Sequence, residues 1–327
     1  FLTAQKLNTR AIEVYDGAGT QTFSGAGSSV VVNLDSTYYN GDNSLFKLNA
    51  DQVNVSENGW YKITYTSCVN QIGGGGGNQR ESPQSWIRKN GNTNISLSFS
   101  YAGYTRNSGN DQDKNCNRAN TLINLTSGDY LELQTGIFDT ETGNTMGLTQ
   151  DQSWLLIEKV EMDSSIISIN NSGQQMDHGT PTAVSFDFND KLGNYVSHTG
   201  SNSEITFKKS GLYEISYNIG YQDSQTGDRV ITCGYLRKNG NTNINPSKQC
   251  IYTRGDAQAK TGTVSTTSII NVSKDDYIEI MLNVTGEVGT NEYVQVQKGT
   301  TWFTVVKINE TVSSNWKNTS LDIGTTP

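Results

Sequence analysis

The segment WIRKNGNTNI at residues 86–95 returns as YLRKNGNTNI at residues 235–244. Three flanking motifs return in the same order: NGWYKITY (58–65) as SGLYEISY (210–217), TLINLTSGDYLELQ (121–134) as TSIINVSKDDYIEIM (267–281), and SWLLIEKVE (153–161) as TWFTVVKIN (301–309). The offset is 152 between Gly59 and Gly211 and 147 between Asp129 and Asp276. A period of this length is that of a whole domain and far exceeds that of a solenoid repeat. The chain is therefore a tandem duplication, and the features kept in both copies are candidates for scaffold.

Both copies carry the alternating pattern of half-buried β-strands. The apolar positions are Tyr61, Ile63 and Tyr65 in the first copy, and every second residue of 213–221 in the second. Asn-Gly pairs at 90–91 and 239–240 favour type I′ hairpin turns, which need positive φ at both central positions. No segment holds a helical apolar stripe over three turns. The pattern predicts an all-β fold of two tandem antiparallel β-sandwich or jelly-roll domains.

The domain bounds follow from the repeats and from the polar stretches around them. We expect an N-terminal arm at 1–11, a first jelly-roll domain at 12–162, a linker at 163–179, a second jelly-roll domain at 180–309 and a polar C-terminal arm at 310–327. Each domain is long enough to bury a core of its own.

The composition is typical of an extracellular or virion-exposed β-protein. Charged residues make up only 17% of the chain, so Asn, Thr, Ser, Gln and Gly must supply most of the surface. The net charge of −8 disfavours nucleic-acid binding, because an acidic protein repels the phosphate backbone. The sequence contains no run of 18 apolar residues, so we expect no segment that inserts into a membrane. The opening segment FLTAQKLNTR does not have the form of a signal peptide.

Four motifs, in this order, resemble strands of the complement globular-head and TNF-like jelly-roll superfamily. They are the strands GWYKITY and GLYEISY, the strands that end in RKNG, the strands GDYLELQ and DDYIEIM, and the closing strands that open with Ser or Thr followed by Trp. The resemblance covers about residues 30–160 and 180–309 and implies a TNF-like jelly roll in each copy. The amino-acid composition, rich in Asn, Thr and Gly, is similar to that of bacteriophage and other viral members. The sequence departs from the serum members because it holds no collagen-like Gly-X-Y segment.

The resemblance also implies a homotrimer that forms through one aromatic-rich face. Tyr61, Tyr65, Tyr213 and Tyr217 are the candidate residues of this trimer interface, since tyrosine combines a large apolar body with a polar tip. The alternative is that these tyrosines fill the core of their own domain, and the two roles do not exclude each other.

The four cysteines fall two to each copy, at positions that do not align: Cys68 and Cys116, then Cys233 and Cys250. Cys233 and Cys250 flank the turn at 239–240 roughly symmetrically, which suits a cross-link within a hairpin. Two disulfides in an oxidising setting are one interpretation, and four half-buried free thiols are the other. The sequence contains no CxxC or HxH spacing, so we expect no metal site.

The sequence lacks the motifs of a catalytic site. The two histidines, His178 and His198, have no counterpart in the first copy and no nucleophile motif, so we expect exposed loop histidines and no enzymatic activity. Asp111 and Asp113 begin like a calcium loop, but Cys116 stands where that loop requires Gly. We therefore expect no cofactor, with calcium in a looser loop site as the one exception left open.

The sequence predicts a non-enzymatic virion surface protein of a bacteriophage: a head fibre, a capsid decoration protein or a receptor-binding appendage. Its partners would be other virion proteins and a host surface glycan or receptor, contacted through the loops at 72–84, 104–117, 222–229 and 245–258. The candidate ligand-binding residues of these loops are Arg80, Tyr104, Arg106, Asp111, Asp113, Asp223, Asp228, Tyr252 and Arg254.

Three other classes of function compete with this hypothesis. The main alternative is a secreted or cell-surface lectin-like adhesion module of a cellular organism. A capsid shell subunit would carry a basic arm toward the genome, and this chain has no basic stretch. A depolymerase would need two carboxylates at a defined separation, which sequence alone does not place.

Overall fold

The structure is a computed structural model that describes residues 10–17, 21–25, 27–73, 80–106, 113–137, 145–160, 163–169, 173–224, 229–254, 260–286 and 293–308. These residues form β-strands and one turn of 3₁₀ helix at Ser96–Ser98. The strands of the first repeat are β1 (Ala11–Tyr15), β2 (Thr22–Ser24), β3 (Ser29–Val31), β4 (Ser36–Asn40), β5 (Phe46–Asn49), β6 (Gln52–Val55), β7 (Gly59–Gly73), β8 (Arg80–Glu81), β9 (Pro83–Lys89), β10 (Thr93–Asn94), β11 (Ser100–Tyr101), β12 (Thr105–Arg106), β13 (Lys114–Leu125), β14 (Tyr130–Ile137), β15 (Thr145–Leu148) and β16 (Trp154–Val160). The strands of the second repeat are β17 (Ser165–Ser168), β18 (Gln175–Asp177), β19 (Thr182–Ala183), β20 (Phe188–Lys191), β21 (Val196–Ser197), β22 (Ile205–Phe207), β23 (Gly211–Asp223), β24 (Arg229–Lys238), β25 (Thr242–Arg254), β26 (Thr261–Val272), β27 (Tyr277–Gly286) and β28 (Tyr293–Lys307).

Each repeat is a sandwich of two antiparallel sheets, and the strand order is the same in both repeats. The inner sheet runs β4-β1-β16-β7-β13 in the first repeat and β20-β17-β28-β23-β26 in the second. The outer sheet runs β5-β6-β14-β9-β10 in the first repeat and β21-β22-β27-β24-β25 in the second. The prediction of an all-β fold of antiparallel jelly rolls is confirmed.

The alternating residues of β7 and β23 fill two separate cores, which corrects the predicted trimer interface. Tyr61, Tyr65, Tyr213 and Tyr217 are at most 1% exposed and belong to the core of their own repeat. Their hydroxyls are satisfied inside the repeat: Tyr65 donates to Ser85 O at 2.8 Å, for example. A side chain buried in this way has no surface to offer a partner, so the prediction that these four tyrosines form a trimer interface is wrong.

The segment predicted as a linker at 163–179 contains two strands of the second sandwich. Strand β17 pairs with β28 and β20, and β18 pairs with β28. The serines that make this segment look like a loop are buried with partners: Ser165 Oγ, for example, accepts the Gly193 N–H at 2.8 Å. The second sandwich therefore begins at β17 and not at residue 180. Residues 1–9 and 310–327 of the predicted arms lie outside the described residues.

The RKNG motif and the GDYLEL motif of the first copy form a single structural unit. Asn90 and Gly91 have φ angles of 53° and 71°, as the predicted turn requires. Asn90 Nδ2 donates to Asp129 Oδ1 at 2.7 Å, and Asn90 Oδ1 accepts the Tyr130 N–H at 2.9 Å. A Cβ at position 91 would lie 2.8 Å from the Tyr130 hydroxyl and would have to adopt the positive φ of 71°, so a larger residue there would strain the turn.

The second copy repeats this unit contact by contact. Asn239 Nδ2 donates to Asp276 Oδ1 at 2.7 Å, and Lys238 Nζ lies 2.6 Å from Asp276 Oδ2. The Arg237 Nε donates to Glu279 at 3.0 Å. The duplicated motif is therefore scaffold: it joins β24 to β27 in the second repeat, as it joins β9 to β14 in the first.

We predict that this unit makes stability depend on acid pH. Hydrogen bonds from Asn239 and Lys238 lower the pKa of Asp276 to about 2. An unfolded aspartate titrates at about pH 3.9, so Asp276 stabilises the fold above about pH 4, and this contribution is lost as the pH falls toward 2. Asp276→Asn should weaken the fall in the free energy of unfolding over that range, measured by urea denaturation. Asp275→Asn, at the exposed neighbouring position, is the matched control, and identical slopes for all three proteins would refute the assignment.

Candidate functional site

A buried lysine joins the two repeats. Lys62 Nζ lies 2.9 Å from Glu214 Oε1 and 2.5 Å from Glu158 Oε2, and all three side chains are at most 9% exposed. Burial by itself lowers the pKa of Lys62, but the charges of Glu214 and Glu158 raise it above its ordinary value. Lys62 and Glu214 occupy the same position of the repeat, in KITY and in EISY. The two copies have thus diverged to opposite charges at this position, and the divergence holds them together.

Two further contacts join equivalent positions, which are 147 residues apart. Asn120 Nδ2 donates to Thr267 Oγ1 at 2.8 Å, and Ser265 Oγ donates to Arg118 O at 3.0 Å. The inner sheet of the second repeat therefore packs against the β13 edge of the first repeat.

The contacts beside this edge are not symmetric. The Tyr101 N–H donates to Thr263 Oγ1 at 2.9 Å, and Asn218 Nδ2 donates to Phe99 O at 3.3 Å. Tyr101 lies on β11, so the β11–β13 edge of the first repeat is covered by β23 and β26 of the second. This is a head-to-tail contact between an edge and a face.

The equivalent tryptophans Trp302 and Trp154 differ in burial because of this asymmetry. Trp302 is fully buried, packs with the core of the first repeat and donates from Nε1 to Asn120 O at 2.6 Å. Trp154 is only half-buried, and the guanidinium of Arg118 lies 6.0 Å from its ring centroid. The face of the inner sheet that is covered in the second repeat is thus partly open in the first.

Two disulfides tie the strands that lead to one end of this interface. Cys68 is joined to Cys116 across β7 and β13, and Cys233 is joined to Cys250 across β24 and β25. Each pair is directly opposed in the strand register. Lys114 lies two residues before Cys116, and Arg254 lies four residues after Cys250.

The tied strands surround a cationic pocket of about 460 Å³. Its lining comes from both repeats and consists of Tyr104, Arg106, Lys114, Arg229, Tyr252 and Arg254. Four of these six residues are basic, although the chain as a whole has a net charge of −8. The two tyrosine rings meet at 90° with centroids 5.7 Å apart, and the Tyr104 N–H donates to Tyr252 O at 3.4 Å. The pocket therefore combines positive charge with an aromatic wall.

The register brings arginines directly opposite each other at this pocket. Arg229 pairs with Arg254 across β24 and β25, and Arg80 pairs with Arg106 across β8 and β12. Like charges directly opposite on antiparallel strands are destabilising. The register therefore concentrates positive charge at this pocket.

Gly103 allows the repeats to approach closely beside the pocket. A Cβ at this position would lie 2.9 Å from Ile251 Cγ1, 3.0 Å from Asn115 Nδ2 and 3.1 Å from Tyr252 O. The main chain of the first repeat thus lies directly against β25 of the second. A larger residue at position 103 would force at least one of these neighbours to shift.

The structure brings together part of the predicted ligand-binding set. Tyr104, Arg106, Tyr252 and Arg254 line one pocket, and Arg80 lies opposite Arg106. Asp113 and Asp223 are not among its lining residues, and Asp223 is buried, whereas Asp111 and Asp228 are outside the described residues.

Sequence reasoning missed Lys114 and Arg229, although both lie in the predicted loops. A usable signal exists for Arg229. Arg229 lies four residues before Cys233, and Arg254 lies four residues after Cys250. A disulfide between these cysteines therefore places the two arginines opposite each other in the hairpin.

The histidines form no metal-binding cluster in the part of the chain that the structure describes. His198 is buried, with Nδ1 2.8 Å from Asn189 Oδ1 and Nε2 3.1 Å from Asn202 O, so the prediction of an exposed loop histidine is wrong for it. Among the described residues, no group of three or more His, Cys, Asp or Glu side chains is arranged to hold a metal ion. The same residues contain no helix with the length and hydropathy of a membrane span.

Comparison with known proteins gives similarity in structure alone. No family model matches the sequence, and no curated protein matches it. Similar solved structures include murine APRIL at pH 5.0 (44% of this chain, 98% of that chain, TM-score 0.30), murine APRIL at pH 8.5 (44%, 99%, 0.29) and Eiger TNF from S. frugiperda (47%, 97%, 0.31), each at 10% identity. The fold assignment rests on the strand order described above.

We predict that Lys62→Met destabilises the protein strongly. The substitution leaves Glu158 and Glu214 buried together without a cation, which costs about 3–5 kcal/mol for a broken buried pair. The triple variant Lys62→Met, Glu158→Gln, Glu214→Gln removes the charges together and should recover most of the loss. Urea denaturation measures both, with Lys47→Met at an exposed position of β5 as the control. A Lys62→Met protein as stable as the control would show that the ion pair does not hold the repeats.

Proposed function

We propose that this chain is a recognition protein of the virion surface, acting by binding and not by catalysis. It would serve as a head fibre, a decoration protein or a receptor-binding appendage that attaches to a host-surface glycan or receptor. The observation that carries this proposal is the pocket between the repeats, where basic and aromatic side chains from both copies converge. Binding sites often occur where two domains meet, with a few placed polar groups on a shaped wall.

The disulfides support an extracellular or virion-exposed location. Both link neighbouring strands, and none of the cysteines is free. Such bonds persist in oxidising surroundings such as secreted proteins and virion surfaces. Stapled strands also suit a binding site, because they hold the pocket residues in place before the ligand arrives.

We further propose that copies of the chain assemble head-to-tail as a homotrimer. Within the chain, the β11–β13 edge of the first repeat covers the inner-sheet face around Trp302 of the second. The same face of the first repeat, around Trp154, is partly open, and the equivalent edge of the second repeat exposes Lys248. A neighbouring copy therefore carries the edge that fits this face. Head-to-tail contacts of this kind close into rings when the rotation permits.

Assembly is tested by the mass of the purified chain in solution. We predict a mass of three times 35.8 kDa by light scattering. Trp154→Ser should shift the mass toward a single chain, because the half-buried ring lies on the contact face. Phe188→Ser, which removes an aromatic side chain 46% exposed on β20, should leave the mass unchanged. A single-chain mass for the unmodified protein would refute the trimer.

The location is tested by immunogold labelling of particles purified from the source. Gold at capsid vertices, capsid faces or tail tips would support a virion protein, and its position would separate decoration from receptor binding. Gold that is absent from particles, with the protein free in the medium or on cells, would replace this proposal with a secreted adhesion module.

A further inference from the structure

We infer that the pocket between the repeats binds a sugar that carries an oxyanion, either a carboxylate or a sulfate ester. The inference rests on the proposed attachment function and names the ligand class of that site. It is carried by three observations: two cations, Arg254 and Lys114, without an acidic partner among the described residues; arginines opposed in the strand register; and an aromatic wall in a pocket of suitable size.

Two of the lining cations are available to a ligand. Among the described residues, Arg254 has no acidic partner, and its Nε is buried without a hydrogen-bond acceptor. Lys114 is exposed and likewise has no acidic partner within the described part of the chain. An oxyanion that enters the pocket would therefore meet two cations, Arg254 and Lys114, that no described carboxylate neutralises.

The opposed arginines determine the sign and the shape of the ligand. Arg229 and Arg254 face each other across β24 and β25, and Arg106 enters the same pocket from β12 of the first repeat. A guanidinium presents its N–H groups as a planar fork that matches two oxygens of one carboxylate or sulfate. Binding of such an oxyanion to the folded chain also stabilises the loaded form.

The aromatic wall and the volume favour a sugar over a free inorganic ion. Tyr104 and Tyr252 contribute rings from the two repeats, and a bare phosphate or sulfate would use neither. The volume of about 460 Å³ lies within the range of about 300–1,000 Å³ typical of small-molecule sites. A sugar ring can pack its C–H face on tyrosine while its acidic substituent reaches the guanidinium groups.

Calorimetric titration of the full chain tests this inference with three tetrasaccharides of different charge. The probes are a galacturonic acid tetrasaccharide (carboxylates only), a carrageenan tetrasaccharide (sulfates only) and a neutral galactose tetrasaccharide. We expect binding of one or both acidic probes and none of the neutral one, and the tighter acidic probe identifies the oxyanion. Raising the salt from about 50 to about 500 mM should weaken binding, because exposed charges are screened.

Three substitutions locate the binding. Arg254→Gln should weaken binding about 10-fold or more, as expected for loss of a charged hydrogen-bond donor. Lys114→Gln, at an exposed position where folding is not at risk, should weaken it about 3-fold. Lys47→Gln removes the same charge from an exposed site on β5 and should leave the affinity unchanged.

Several results would overturn the inference. These are equal binding of the neutral probe, unchanged affinity in both Arg254→Gln and Lys114→Gln, or tighter binding of inorganic phosphate or a nucleotide than of either acidic sugar. Attachment of the labelled chain to host cells separates this failure from that of the proposed function. Host attachment that Arg254→Gln leaves intact keeps the function and removes this ligand, whereas a chain that attaches to no host surface fails the function itself.

Discussion

The buried ion pair between Lys62 and Glu214 is the constraint on which the arrangement of the two repeats depends. Charges taken out of water repay the desolvation only when their partners stay in place. Lys62 Nζ lies 2.5 Å from Glu158 Oε2 of its own repeat and 2.9 Å from Glu214 Oε1 of the second repeat. If the repeats separated, Glu214 would lose its cation and Trp302 would lose its buried site. The pair therefore fixes the position of the second repeat relative to the first.

The pocket is a consequence of this fixed arrangement. Tyr104 and Arg106 come from the first repeat, and Tyr252 and Arg254 come from the second, so neither repeat contains the site alone. Gly103 permits the close approach, and the two disulfides tie the strands that carry the remaining cations. A duplicated fold has in this way gained a feature that a single copy lacks, through divergence at the contact and not in the scaffold.

The scaffold could be predicted from the sequence because local patterns determine it. The alternation around Ile63 and the Asn-Gly turns gave strands and hairpins in the right places, since both depend on residues close in sequence. The contact between the repeats could not be predicted, because Lys62 lies at a position that reads as solvent-facing in its own strand and is buried only by another domain. The tyrosines were misjudged for a related reason: alternation identifies a buried face but does not say which layer covers it. Arg229 depends on the hairpin register, which the disulfide sets.

Differential scanning calorimetry of the full chain is the most direct test of the claim that the two repeats act as one unit. We predict a single transition in which the calorimetric enthalpy equals the van't Hoff enthalpy, since the buried ion pair and Trp302 couple the two cores. Two separate transitions, or a van't Hoff enthalpy of about half the calorimetric value, would show that the repeats unfold independently. In that case the pocket between them would not be a preformed site.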